Sequence, residues 1–124
     1  MKSIFSQIRI TGVATVLPAQ TVELSALTDQ FEADYLERAI ASTGVRRIRV
    51  AAPEQCASDL CAEAAQRLLA ALSVDPATVD GLVFVTQTPD WIIPATSPHL
   101  QHRLGLPTTA ATYDLNFGCS GYVL

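Results

Sequence analysis

Asp114-Leu115-Asn116-Phe117-Gly118-Cys119-Ser120-Gly121-Tyr122 decides how the rest of the chain is read. A cysteine stands between two glycines, directly after Thr108 to Leu115, a run that reads as a strand. The residues from Asn116 onward read as the start of a helix that stops after one turn, and one turn has almost no independent stability. The chain is therefore expected to continue in a longer protein. A strand-to-helix turn of this kind is how hydrolases present a nucleophile on a sharp elbow. Glycines permit backbone angles and close approach that larger residues resist. A thiol at a helix N-terminus feels the positive end of the helix dipole, which favours the reactive thiolate. Backbone N–H groups at such a turn can also point at a developing oxyanion. On local pattern alone a second reading of Cys119 stays open, a small buried hydrophobe.

Upstream, Gly81 to Gln87 contains Leu82-Val83-Phe84-Val85, a run that suits a strand buried on both faces. Thr88 to Pro98, with Pro89, Pro94, Pro98 and Trp91, is a loop leading into a helix that ends near Gly105. Ser58 opens a long helix and can cap it, with Leu60, Ala64, Leu68 and Leu72 along one face. Val74 to Ala77 breaks that helix, and Pro76 suits the first turn of a new one. Ile8 to Val16 reads as a strand stopped by Pro18. Thr21 to Gly44 is helical in period with one break, Gly44 serving as the C-terminal cap, and Arg46 to Ala52 is a short β segment. The order β, α, β, α, β, α, β predicts an α/β layered fold.

With 124 residues, 49% hydrophobic and 16% charged, residues 1–124 are expected to form one domain with a packed core. The net charge is -4 and the one basic cluster is Arg46, Arg47 and Arg49, so nucleic acid is not an expected partner. No apolar run approaches the ~20 residues of a membrane span, and the N-terminus lacks the long apolar region of a signal peptide. Three cysteines without a Cys-x-x-Cys pair argue against a disulfide framework and for a reducing cytoplasm. Cys56 and Cys61 point in different directions on a helix; Cys61 is assigned to the core and Cys56 to a cap or loop. His99 and His102 share a helical face and read as surface or dimer-contact residues rather than metal ligands or catalysts. Trp91 packs either at a dimer interface or on its own domain. No Gly-x-Gly-x-x-Gly or phosphate-loop motif is present.

The nonapeptide is similar to the active-site signature of β-ketoacyl-acyl-carrier-protein synthase III enzymes, in which an Asp precedes a small-residue run and the cysteine is followed by a small residue, Gly and an aromatic. Ile10 to Pro18 looks like that family's opening strand, and Ser42-Thr43-Gly44-Val45-Arg46-Arg47 resembles its Thr-Gly-Ile segment. Val85 to Asp90 followed by Pro94 resembles the strand and loop before its dimer-contact helix, which would end at Leu104-Gly105-Leu106. The resemblance implies a thiolase-like fold, two α/β halves stacked as five αβαβα layers, with this chain as most of the first half, ending just after the nucleophile turn. It implies that Cys119 takes an acyl group from a thioester and condenses it with malonyl-acyl-carrier protein after decarboxylation. The His and Asn that assist decarboxylation lie in the family's second half, so the chain alone is expected to be inactive. The implied partners are acyl carrier protein or an acyl-CoA, and a second subunit in a homodimer. No metal or cofactor is expected.

The same resemblance assigns Thr43, Arg46, Arg47 and Ile93 to substrate binding. Arg38 and Ser42 stand where many members place a Trp and an Arg that clasp coenzyme A, which tilts the expected donor towards a carrier protein. Ile48 stands where the family usually has an arginine. Arg46, Arg47 and Arg49 then contact phosphate or an acidic carrier, or form a solvated basic edge. Ile93 replaces a commonly aromatic residue and implies a roomier acyl pocket. The pathway is fatty-acid initiation or a secondary route with the same chemistry. Acyl transfer to an oxygen or nitrogen acceptor, and an inactive partner subunit, are the alternatives.

Overall fold

The structure is a computed structural model and describes residues 6–122. The chain separates into two compact units, one formed by Leu17–Cys56 and the other by the segments before and after it.

In the unit Leu17–Cys56, β1 (Gln20–Glu23) pairs antiparallel with β2 (Arg47–Val50), Val22 lying opposite Ile48. Between them runs a 3-10 turn at Leu24–Ala26 and helix α1 (Ala33–Thr43), which buries Leu36. Gly44 ends α1 in the left-handed region at φ 73°, its N–H donating to the Ile40 carbonyl at 2.8 Å, as the sequence predicts. Thr21 to Glu23, expected in the helix, is instead strand. The antiparallel partner overrides the helical period that begins at Leu24, and Thr and Val suit a pleated surface.

In the other unit, helix α2 (Ala57–Ala71) leads through a 3-10 turn at Pro76–Thr78 to β3 (Gly81–Val85), then to helix α3 (Ser97–Arg103) and β4 (Ala111–Leu115). The Asp75 carboxylate accepts the Ala77 N–H at 3.0 Å and so opens the turn that Pro76 begins. Strands β3 and β4 pair in parallel, Gly81 opposite Ala111 and Val85 opposite Leu115, and the Thr86 N–H extends the ladder to the Leu115 carbonyl at 3.1 Å. The Gln101 amide donates to the Pro107 and Ala110 carbonyls at 2.8 and 3.0 Å, tying α3 to the start of β4. The core is Ala62, Phe84, Leu100, Leu104 and Leu106, with Ala57, Ala65, Val79 and Leu82 packed against it.

Four expectations need correction. Ile8 to Val16 finds no strand partner among the described residues; Gly12 packs against Leu68 of α2 and Leu72 just after it, while Ile8, Ile10 and Val13 stay exposed. The fully buried residues of α2 are Ser58 and Ala62, while Leu60, Ala64 and Leu68 of the sequence stripe are half-buried, because small side chains let the helix approach Phe84 and Leu100 closely. The Ser58 hydroxyl donates to the Asp90 carboxylate instead of capping its own helix. Strand β3 is buried on one face only: Phe84 is buried and Leu82 half-buried, whereas Val83 is 55% exposed. Since Phe84 is the largest side chain of the core, Phe84→Ala is expected to cost about 3–5 kcal/mol, read as a fall in the urea midpoint at unchanged slope.

Candidate active site

The turn that carries Cys119 follows β4 closely. The Phe117 N–H folds back to the Leu115 carbonyl at 2.9 Å, and the Gly121 N–H donates to the Gly118 carbonyl at 2.9 Å, closing a 3-10 turn at Cys119–Tyr122. Cys119 is exposed on that turn, at the carboxyl end of a parallel strand pair, where α/β folds place their ligands. Within the described residues the thiol is open to solvent rather than packed in a core. The helix expected from Asn116 to Leu124 is a single 3-10 turn as far as the structure describes it; Val123 and Leu124 lie outside the described residues.

The flanking glycines serve close packing rather than unusual backbone angles. Positive φ among the glycines is confined to Gly44 and Gly105. A Cβ on Gly121 would collide with the Val85 side chain, and one on Gly118 would lie 2.7 Å from the Gln87 amide nitrogen. Val85 ends β3 and Gln87 lies in the bend that follows it. The turn that carries Cys119 rests on these two side chains.

Asp114 is the residue that sequence reasoning quoted and left without a role. Its two carboxylate oxygens accept the backbone N–H groups of Thr96 and Ser97 at 2.6 and 2.7 Å. These are orphan donors at the start of α3, and a carboxylate there also meets the positive end of the helix. The strand that carries Cys119 is thereby fastened to α3. Burial pushes the Asp114 carboxyl up, but the donors of Ser97 and Thr96 outweigh it and hold it below the usual carboxylate range. An acid inside a short strand run is itself a signal, since Asp is depleted from strands and a buried carboxylate needs donors.

Asp90 and Ser58 form a second polar link, from the loop after β3 to α2. The other Asp90 oxygen, Oδ1, is buried and accepts no hydrogen bond among the described residues. Cys61, assigned to the core by sequence, lies exposed on α2. Partial burial pushes its thiol up and the Asp90 charge adds to this, which disfavours the thiolate. Trp91 meets the His99 ring edge-on at 5.4 Å, a contact within its own unit, although it remains 45% exposed. Ile93 is 87% exposed at the tip of the same loop.

The remaining assigned residues lie in the unit Leu17–Cys56. The Thr43 hydroxyl donates to the Ala39 carbonyl at 2.7 Å and accepts the Val45 N–H at 3.2 Å, so it is committed to the turn that ends α1. Arg47 faces Glu23 at 3.8 Å in an exposed pair of little energetic weight. Arg49 donates to the Pro18 and Ala19 carbonyls at 3.3 and 3.1 Å and is structural. The Arg46 side chain, also exposed, makes no hydrogen bond or ion pair among the described residues. An open cavity of about 410 Å³ in this unit is lined by Thr28 to Ala33, and none of Thr43, Arg46 or Arg47 reaches it. No helix among the described residues is long and apolar enough to cross a membrane.

No family model matches the chain. Solved structures do. A 3-oxoacyl-(acyl-carrier-protein) synthase from Burkholderia xenovorans LB400 superposes at a TM-score of 0.83 and 36% identity, over 89% of this chain and 32% of that one. A 3-oxoacyl-(acyl-carrier-protein) synthase III matches at 0.82 and 43%, over 92% and 34%. AbyA1, a tetronic acid condensing enzyme, matches at 0.75 and 33%, over 90% and 35%. The fold is part of the thiolase-like α/β architecture of those enzymes. The chain belongs to the β-ketoacyl-acyl-carrier-protein synthase III family, and it spans about a third of the length of the structures it matches.

A carboxyl held low in the folded state contributes stability that is fully present above its unfolded value of about 4 and disappears as pH falls through the folded one. Asp114→Asn is therefore expected to lower stability at pH 7 by about 1–2 kcal/mol, with the difference from the wild type shrinking as the pH falls below about 4. Denaturant midpoints measured across that pH range check both parts.

Proposed function

We propose that Cys119 is the nucleophile of a decarboxylative condensing acyltransferase, of which residues 1–124 are the first part of a single catalytic domain. The observation that carries this reading is an exposed thiol on a glycine-flanked turn at the carboxyl ends of parallel β3 and β4. The thiolate attacks a thioester carbonyl, the donor thiol leaves with a proton, and Cys119 holds the acyl group as a new thioester. Malonyl-acyl-carrier protein then loses carbon dioxide, and its carbanion displaces Cys119 to form a β-ketoacyl product. Carrier protein or coenzyme A delivers the first acyl group. Arg46 and Arg47, exposed in the unit Leu17–Cys56, attract the phosphate or acidic surface of that donor. Thr43 fixes the turn that carries them, and Ile93 borders the acyl chain. The full protein works as a homodimer in the cytoplasm, and the 124-residue chain alone lacks activity.

Fatty-acid initiation is the first pathway to consider. A secondary pathway built on the same chemistry is the second, since a tetronic acid condensing enzyme also matches, at 33% identity against 43% for a 3-oxoacyl-(acyl-carrier-protein) synthase III. The natural full-length product, given an acyl thioester and malonyl-acyl-carrier protein, is expected to release carbon dioxide and form the β-ketoacyl product. Cys119→Ala is expected to reduce both by more than about a thousandfold. Acyl transfer to a hydroxyl or amine acceptor with no carbon dioxide released would replace condensation with simple acyl transfer.

A further inference from the structure

We propose that Gln87 is a positioning residue for Cys119, its carboxamide lying over Gly118 and holding the turn from which the thiol is presented. The proposal rests on the nucleophile reading of Cys119. A Cβ added to Gly118 would sit 2.7 Å from Gln87 Nε2, 2.9 Å from Cδ and 3.3 Å from Oε1. All three amide atoms are therefore stacked on the backbone next to the nucleophile. Gln87 as a whole is exposed, so no core forces this placement.

Local structure accounts for it. The Thr86 N–H donates to the Leu115 carbonyl at 3.1 Å, which carries the parallel ladder one residue past β3. The Thr86 hydroxyl oxygen accepts the Thr88 N–H at 3.1 Å, and the two threonine hydroxyls lie 3.3 Å apart. The chain is folded sharply at this point, with Gln87 at its apex and on the side of Val85. Val85 supports the turn from below Gly121 and Gln87 from beside Gly118, so the cysteine is bracketed. Val85 is stiff at χ1 and supplies a fixed apolar stop. Gln87 supplies a neutral polar group that can donate and accept, and brings no charge to the backbone next to Cys119.

Site-resolved alkylation of the natural full-length product across a pH series tests this placement. Gln87→Glu keeps the shape and adds a negative charge, which disfavours a nearby thiolate. It is expected to move the alkylation midpoint of Cys119 up by about one pH unit, with the profiles of Cys56 and Cys61 unchanged. A merely structural role would not produce that selective shift. Gln87→Ala removes the amide, and Gly118→Ala pushes its flexible end aside. Each is expected to slow acylation of Cys119 by a thioester donor about tenfold, and the double variant to be no slower than either single one. A Gln87→Glu profile that superposes on the wild type, or losses that multiply in the double variant, would overturn the proposal. If wild-type Cys119 takes up no acyl group while the Gln87→Glu shift appears, the nucleophile reading falls and the contact between Gln87 and the turn stands.

Discussion

Everything at the site depends on the parallel ladder between Gly81–Val85 and Ala111–Leu115. Parallel pairing brings the carboxyl ends of both strands to the same edge. The chain leaving β4 must therefore pass the chain leaving β3. Val85 and Gln87 meet Gly121 and Gly118 for that reason, and Cys119 is left exposed between the two contacts. The ladder is held from below by Phe84 against Ala62 and Leu100, and from the side by the Asp114 carboxylate on the first N–H groups of α3. Few side chains fix the turn of Cys119, and most of them lie far from it in sequence.

The order of elements was legible because its signals are local. Gly44 after an amphipathic helix, Asp75-Pro76 before a strand, and a proline-rich loop before α3 each mark a boundary through backbone preferences of one or two residues. The failures share the opposite property. Thr21 to Glu23 is strand because Arg47 to Val50 pairs with it, and nothing within its own window announces that partner. Ser58 has the chemistry of a cap, but an aspartate thirty-two residues away takes its hydroxyl. On α2 the leucines are the conspicuous residues, yet the fully buried ones are Ser58 and Ala62, because helix-to-sheet distance rewards small side chains.

The site divides along the same line. The turn that carries Cys119 was readable from its nonapeptide, since a cysteine between glycines after a strand is a local arrangement. The purpose of those glycines was not, because Gly118 and Gly121 exist to admit Gln87 and Val85 rather than to allow positive φ. Asp114 was visible only as an oddity, an acid inside a strand, and its donors sit on the preceding helix. Arg49, grouped by sequence with Arg46 and Arg47, proves structural once its carbonyl partners at Pro18 and Ala19 are seen. Charge clusters in sequence do not tell which members are already spoken for.

The central claim is that Cys119, alone among Cys56, Cys61 and Cys119, is the acyl acceptor. Peptide mapping by mass spectrometry after incubating the natural full-length product with an acyl-carrier-protein or acyl-CoA thioester tests it most directly. One acyl group on the peptide containing Cys119, and none on those containing Cys56 or Cys61, is the result this account requires. Acylation at Cys61 or Cys56 in its place, or no adduct with either donor, would contradict it.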